Sequence, residues 1–308
     1  MEDLVYSHGF RVDPAAVLYH RPETFVDETE GNEKMDLRLQ GKRALVTGST
    51  AGIGFAAAAR LAEEGASVVI NGRSAERVEE AVRRARERAP EAEVSGVAAD
   101  LGAAEGVEEI LRQVPEVDVL VNNLGIFEPK DFQEITDDDW FRFFETNVMS
   151  GVRLARHYLP GMKEWDWGRI VFVSSESAVQ IPAEMIHYGV TKTAQLAVAR
   201  GLAETTVGTG VTVNSVLPGP TASEGVKTFV GRMAQEQGKD EAAMEEEFFQ
   251  TARPSSLLQR FIEPEEVAEM IALRLQPGLL GHQRRLPPCR RRRRSLGRLK
   301  ATAAGALR

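Results

Sequence analysis

The sequence predicts one α/β domain built on a doubly wound parallel sheet, and three observations carry that prediction. Six short apolar runs recur between residues 43 and 216. Helical stretches separate them, and a glycine-rich turn joins the first run to the first helix. Apolar strands alternating with helices are the pattern of a parallel sheet covered on both faces.

The strands are expected at RALVT (43–47), SVVI (67–70), VSGVAA (94–99), VDVLVN (117–122), RIVFVS (169–174) and VTVNSV (211–216). Between them IGFAAAARLAEEG, SAERVEEAVRRARERA and AAEGVEEILRQV carry helical periodicity. Ser74 and Thr136 supply capping side chains where two helices should begin. The stretch from Thr136 to Met162 reads as one long helix, and YGVTKTAQLAVARGLAETT as another. Trp165 and Trp167 are read as capping the hinge between the long helix and the fifth strand. After the sixth strand, residues 222–260 turn polar and helical in character. Ligands of open α/β sheets bind beyond the C-terminal strand ends, so this insertion is expected to be a substrate lid. A surface helical pair without a part in binding is the other reading. The helix PEEVAEMIALRL follows, with Glu263 and Pro264 at its start.

Composition narrows the function classes. The 308 residues suffice for a sizeable core, and 43% hydrophobic with 27% charged residues is ordinary for a globular protein. The apolar runs fall far short of a membrane span, and MEDLVYSHGF has neither the basic start nor the apolar centre of a secretory signal. The single cysteine, Cys289, excludes an internal disulfide framework and fits a reducing, cytoplasmic setting. Residues 277–308 hold ten Lys or Arg and no acid, so the other 28 basic residues face all 46 acidic ones and residues 1–276 sit near −18. Such a body repels a nucleic-acid backbone, and no nucleic-acid or membrane partner is expected. EAAMEEEFF is read as a solvated helix face, not a metal site.

The first strand runs into TGSTAGIG, with Gly48, Ser49, Thr50, Gly52, Ile53 and Gly54. Glycines there let the backbone turn tightly and approach a pyrophosphate, while the following helix offers free N–H groups to phosphate oxygens. The second strand ends in Asn71, Gly72 and Arg73, where an acid would accept the ribose hydroxyls of NAD. Arg73 can instead hold a 2′-phosphate, which favours NADP(H), with NAD(H) as the other coenzyme. Tyr188 and Lys192 stand four apart at a helix start and share a face. An ammonium beside a phenol lowers its pKa from the usual ~10 and makes it a usable proton donor and acceptor. Ser175, at the end of the fifth strand, can hydrogen-bond a substrate carbonyl. Spacing alone would equally fit a plain helix surface. His187 reads either as a substrate contact or as a passive loop histidine.

With these motifs in order, the stretch from Met35 to Leu275 resembles the short-chain dehydrogenase/reductase family, and the fold is then of the Rossmann type. TGSTAGIG matches the family's cofactor turn, and Asp100 with Leu101 resembles its adenine contact. NNLG, with Asn123 and Gly125, is similar to Asn-Asn-Ala-Gly, Leu124 replacing alanine. Asn147 stands at the position of the catalytic asparagine, which the resemblance implies helps hold a proton-relay water near the lysine. Ser175, Tyr188 and Lys192 match the remaining catalytic positions. LPGPT, with Pro218, Gly219 and Thr221, resembles the nicotinamide-side loop. The resemblance implies hydride transfer between NADP(H) and a carbonyl or alcohol. Tyr188 would exchange the proton, Ser175 would orient the oxygen, and Lys192 would hold the ribose and tune Tyr188. In motif layout the chain is most similar to 3-oxoacyl-(acyl carrier protein) reductases, so a carrier-bound acyl chain is one candidate among small-molecule substrates.

The ends depart from the family. MDLRLQGKRALVTG has the form of a family start, so residues 1–34 are read as a polar extension, either an upstream-start artefact ahead of a natural initiator at Met35 or a genuine regulatory extension, and residues 35–276 as the dehydrogenase domain. After Ala272 the family's Thr-Asn-Gly and the seventh strand with Val-Asp-Gly-Gly are missing. Read from the second base of the Leu273 codon, the same stretch can encode both in order. Residues 277–308 are therefore expected to be a frameshift product that replaces the seventh strand. Six strands are then visible; an intact end implies a homo-oligomer, and the alternative to an active reductase is a cofactor-binding protein with little or no turnover because that strand is missing.

Overall fold

The structure, a computed structural model, describes residues 37–276. The chain divides into two units, Met1–Met35 and Asp36–Arg308, and every element below lies in the second. The expectations for residues 1–34 and for the frameshifted tail at 277–308 fall outside the described residues.

Six strands form one parallel sheet among the described residues: β1 (Arg43–Val46), β2 (Ser67–Gly72), β3 (Val94–Ala98), β4 (Val119–Asn122), β5 (Gly168–Val173) and β6 (Val211–Val216). Their order is β3-β2-β1-β4-β5-β6, so the chain crosses from one half of the sheet to the other between β1 and β4. The expected strands match within one or two residues at each end. The predicted alternation also holds: α1 (Gly52–Glu63), α2 (Ala75–Arg88), α3 (Ala104–Gln113), α4 (Asp137–Phe144), α5 (Ser150–Glu164) and α6 (Ile186–Glu204) fill the crossovers. After β6 come α7 (Glu224–Gln237), α8 (Glu241–Thr251) and α9 (Pro264–Leu275).

Local chemistry sets several helix starts. Ser74 accepts a hydrogen bond from the Arg77 N–H, Thr136 closes a capping box with Asp139, and Glu263 does so with Glu266 ahead of Pro264 at the first helical position. Asp240 caps α8, and Gly238 ends α7 with a left-handed φ of 63°.

Two apolar layers enclose the sheet. On one face α1, α2 and α9 bury Ala56–Ala59, Ala81, Ile271 and Leu275 against Val46, Val68 and Val121. The alanines of α1 lack bulk, which lets α1 lie close to both the sheet and α9. On the other face α3, α5 and α6 bury Ile110, Leu154, Met162 and Ala199 against Leu45, Leu120 and Ile170. Among the described residues no helix is long and apolar enough to cross a membrane.

The stretch expected as one helix over 136–162 departs from regularity. Between α4 and α5 the chain makes a π-helical turn, Glu145–Met149. There the Asn147 side chain accepts from the Ile126 N–H at 2.7 Å and donates to the Ile126 carbonyl at 3.0 Å. Two bonds to a backbone outside the helix hold the side chain where the wider turn directs it; such turns recur at functional sites. Trp165 ends α5 as expected, while Trp167 packs into the first layer beneath the Lys42 ammonium, 3.9 Å from its ring centre.

Candidate active site

A cavity of about 510 Å³ opens beyond the C-terminal ends of the strands, where the chain switches between β1 and β4. Its floor on one side is the β1–α1 turn. Gly48 and Gly52 adopt left-handed φ values of 59° and 55°, open to glycine at little cost. A Cβ at Gly54 would lie 2.5 Å from the Gly48 carbonyl oxygen and from Asn123 Nδ2. The α1 N-terminus has no side-chain cap and no acid in its first turn, and Ala51, Gly52, Ile53 and Gly54 line the cavity. Free N–H groups in a side-chain-free cradle fit a phosphate-bearing cofactor.

The turn is braced from below by polar side chains. Asn71, buried at the end of β2, accepts from the Gly48 N–H at 3.3 Å and donates to Val97 and Ala99 carbonyls at 3.2 and 3.1 Å. Asn123 donates to the Thr47 and Gly48 carbonyls at 2.9 and 3.0 Å. Leu124 leans on Gly48 and into the second apolar layer, so its extra bulk is absorbed by the core.

The structure brings most of the expected residues to this cavity: Gly52, Ile53, Gly54, Asn123, Gly125, Ser175, Tyr188, Lys192, Pro218, Gly219 and Thr221 all line it. Gly48, Thr50, Arg73, Asp100 and Leu101 stand instead around the ends of β1, β2 and β3. Arg73 is exposed, Asp100 accepts from the Gly102 N–H, and the Leu101 side chain is buried in the second layer, leaving only its backbone for a ligand. Thr50 packs its methyl on Gly72. Ser49 corrects its expectation as a cofactor contact. It is fully buried; its hydroxyl donates to the Val46 carbonyl at 2.6 Å and accepts from the Asn71 N–H at 3.0 Å.

The chemistry-bearing side chains meet on the other side. Ser175 lies two residues past β5 and caps the next turn, accepting from the Ser177 N–H at 3.1 Å. Tyr188 and Lys192 share the first turns of α6, and the Ser175 hydroxyl stands near enough to the Tyr188 phenol to favour its charged form. Lys192 is 4% exposed, and its Nζ donates to the Val173 carbonyl at 3.0 Å and Gln195 Oε1 at 3.3 Å. Burial pushes its pKa down to about 8. Asn147 does not line the cavity; it joins the cluster from behind, donating to Thr191 Oγ1 at 3.0 Å, while Gln195 donates to its carbonyl.

Burial, the largest influence, pushes the Tyr188 phenol up; Ser175 opposes it, and Glu176 and Arg253 pull in opposite senses. The Lys192 ammonium is 5.6 Å from the ring centre and is held by Val173 and Gln195. His187 is no loop residue; it lies in α6, fully buried, with the Phe143 ring 4.0 Å away. The insertion at 222–260 covers the cavity, to which α7 and α8 contribute Val226, Val230 and Phe248.

Sequence reasoning missed Gln195, which holds Lys192, and four charged residues of the cavity: Glu176, Glu184, Glu224 and Arg253. Glu176 directly follows Ser175 and was findable. Arg253 carries no motif and reaches the site only through the fold.

The family described as short chain dehydrogenase matches residues 42–233. The chain belongs to the short-chain dehydrogenase family. It is 50% identical over 243 residues, 79% of this chain and 92% of the relative, to the uncharacterized oxidoreductase YvaG of Bacillus subtilis. It is 33% identical to the 3-oxoacyl-[acyl-carrier-protein] reductase FabG of Aquifex aeolicus, across 77% of this chain and 91% of that one. Among solved structures, the L-sorbose reductase of Gluconobacter frateurii complexed with NADPH and L-sorbose superposes with a TM-score of 0.71 at 32% identity, covering 77% of this chain and 90% of that chain. As a member of this family the chain is an NAD(P)-dependent oxidoreductase.

Proposed function

We propose that this short-chain dehydrogenase reduces a ketone with NADPH, Tyr188 acting as the acid. The observation that carries the reading is the convergence of Ser175, Tyr188 and Lys192 on the same cavity as the phosphate cradle of α1. The nicotinamide cofactor, when bound, supplies the hydride. The α1 N-terminus and Gly52 would hold its pyrophosphate, Arg73 a 2′-phosphate, Asp100 and the Leu101 backbone its adenine side, and the loop of Pro218, Gly219 and Thr221 its nicotinamide side. Lys192 would hold the nearby ribose.

Ser175 would bind and orient the carbonyl oxygen, and Tyr188 would give its phenolic proton to that oxygen. Burial keeps the phenol protonated at neutral pH, which suits a proton donor. Asn147 would fix the Ile126 segment and, through Gln195, the Lys192 side chain. The lining of Ile126, Phe127, Met185, Val226 and Phe248 favours a substrate with an apolar body; a 3-oxoacyl chain suits that lining better than a sugar does.

Full-length protein assayed with NADPH and NADH against ketones tests the reading. Tyr188→Phe is expected to bind NADPH with unchanged affinity and to lose turnover at least 10²-fold; retained turnover overturns it. Arg73→Glu is expected to cut the NADPH-to-NADH preference in kcat/KM by about tenfold or more. An unchanged ratio removes Arg73 from coenzyme choice.

A further inference from the structure

The charged cluster of the cavity has no part in the chemistry proposed above. Arg253 follows the end of α8, and its backbone N–H bonds the Phe248 carbonyl at 3.0 Å. Its side chain is 15% exposed, with Nε 3.4 Å from Glu176 Oε1 and Nη1 3.1 Å from Glu184 Oε1. Glu176 is the residue after Ser175, and its N–H donates to the Pro218 carbonyl at 2.9 Å. Glu184 lies in the short turn Ala183–Met185 that leads into α6 and Tyr188. One guanidinium therefore grips the two segments that present Ser175 and Tyr188, and grips them from the lid.

The lid itself is held at its neck. Thr221 and Ile262 form a parallel bridge, with Ala222 N–H to the Ile262 carbonyl and Ile262 N–H to the Pro220 carbonyl both at 2.8 Å. Beyond the neck, the described polar ties from α8 and its exit to the catalytic side are those of Arg253 and a 3.0 Å bond between Ser255 Oγ and Gln180 Oε1.

We propose that Arg253 is a positioning residue of this reaction: bound to Glu176 and Glu184, it fixes the lid over the cavity and holds the Ser175 and Tyr188 segments in register. The inference rests on the reading of Tyr188 as the acid. Planar guanidinium geometry suits a group that must engage two carboxylates at once. An exposed ion pair contributes little, and the Glu184 arm, with that side chain 47% exposed, is of this kind; the Glu176 arm is better shielded, at 31%, and shares the cavity with the reacting groups. The charges also act on the phenol. Glu176 pushes Tyr188 up, Ser175 and Arg253 pull it down, and Lys192 sits 5.6 Å from the ring centre. Loss of either member of the Arg253–Glu176 pair must therefore move the phenol in opposite directions.

The test is the pH profile of NADPH-dependent kcat/KM for full-length wild type, Arg253→Met, Arg253→Lys and Glu176→Gln. A reduction that needs the Tyr188 proton fails on the alkaline limb. Arg253→Met is expected to lower kcat/KM about tenfold, with kcat falling as well as KM rising, and to move that limb to higher pH. Glu176→Gln is expected to move it to lower pH. Arg253→Lys, which keeps the charge and guards against misfolding, is expected to restore the limb but only part of the rate. Limbs that stay in place or move together overturn the role of Arg253. Tyr188→Phe, measured in parallel, separates the two readings: retained turnover there removes the acid and Arg253's role with it, whereas lost turnover with unmoved limbs removes Arg253's role alone.

Discussion

Replacing Lys192 with methionine is expected to make the protein more stable while disabling it. The Nζ is buried with two neutral acceptors and no carboxylate within bonding distance, and its pKa falls from 10.5 to about 8. At ~1.4 kcal/mol per tenfold in proton affinity, that gap costs the folded state about 3 kcal/mol when the ammonium is charged. Methionine fills similar volume without a charge but forfeits the bonds to the Val173 carbonyl and Gln195 Oε1, about 1 kcal/mol each. The net gain is about 1 kcal/mol, or roughly 2–4 °C in Tm for a domain of this size. The sign with pH is fixed. Between about 8 and 10.5 the unfolded chain binds the Lys192 proton and the folded chain does not, so wild-type stability from this group rises with pH across that window. The variant lacks that rise, so its advantage is full below pH 8 and shrinks towards pH 10.5. Thermal and urea unfolding of both proteins without cofactor, from pH 6 to 10.5, reads the difference directly. A variant less stable than wild type at pH 6, or an advantage that does not shrink with pH, refutes the reasoning.

Three further outcomes are expected. Asn71→Leu removes the brace that joins the Gly48 turn to the β3 exit; it should lower stability by about 3 kcal/mol, read by urea unfolding, and weaken NADPH binding. Gly54→Ala places a methyl 2.5 Å from the Gly48 carbonyl oxygen, so fluorescence titration should give an NADPH Kd raised about tenfold or more in a chain that still folds. His187 has no partner for either ring nitrogen among the described residues, and burial pushes its pKa down. Its contribution to stability therefore falls as pH drops below 6.5, where the unfolded chain takes up the proton first. His187→Leu should raise Tm by a few degrees and flatten the acid side of the stability profile.

The strands, most helices and the cofactor turn were legible because their signals are local. Apolar runs of strand length, a serine or threonine before an acidic first turn, and glycines between strand and helix each act within a few residues. The pairing of Tyr188 with Lys192 was legible for the same reason, since one helix fixes the two relative to each other. The π-helical turn at Asn147 was hidden because its cause, the Ile126 backbone, lies 21 residues away. Ser49 was misread because a serine in a glycine-rich turn looks the same whether its hydroxyl faces a ligand or, as here, β1 and β2.

The sequence alone determined that the chain folds as a doubly wound parallel sheet and that Ser175, Tyr188 and Lys192 accompany a glycine-rich strand-to-helix turn, which the fold brings to one cavity. Only tertiary structure decided how those groups are tuned. Lys192 and Tyr188 are neighbours on one helix, and the fold also ties the Lys192 Nζ to Val173 and Gln195. Burial, Ser175 and the opposed charges of Glu176 and Arg253 all act on the phenol. Proton affinity depends on desolvation and on charges in space, and Arg253 comes from a lid 65 residues further along the chain.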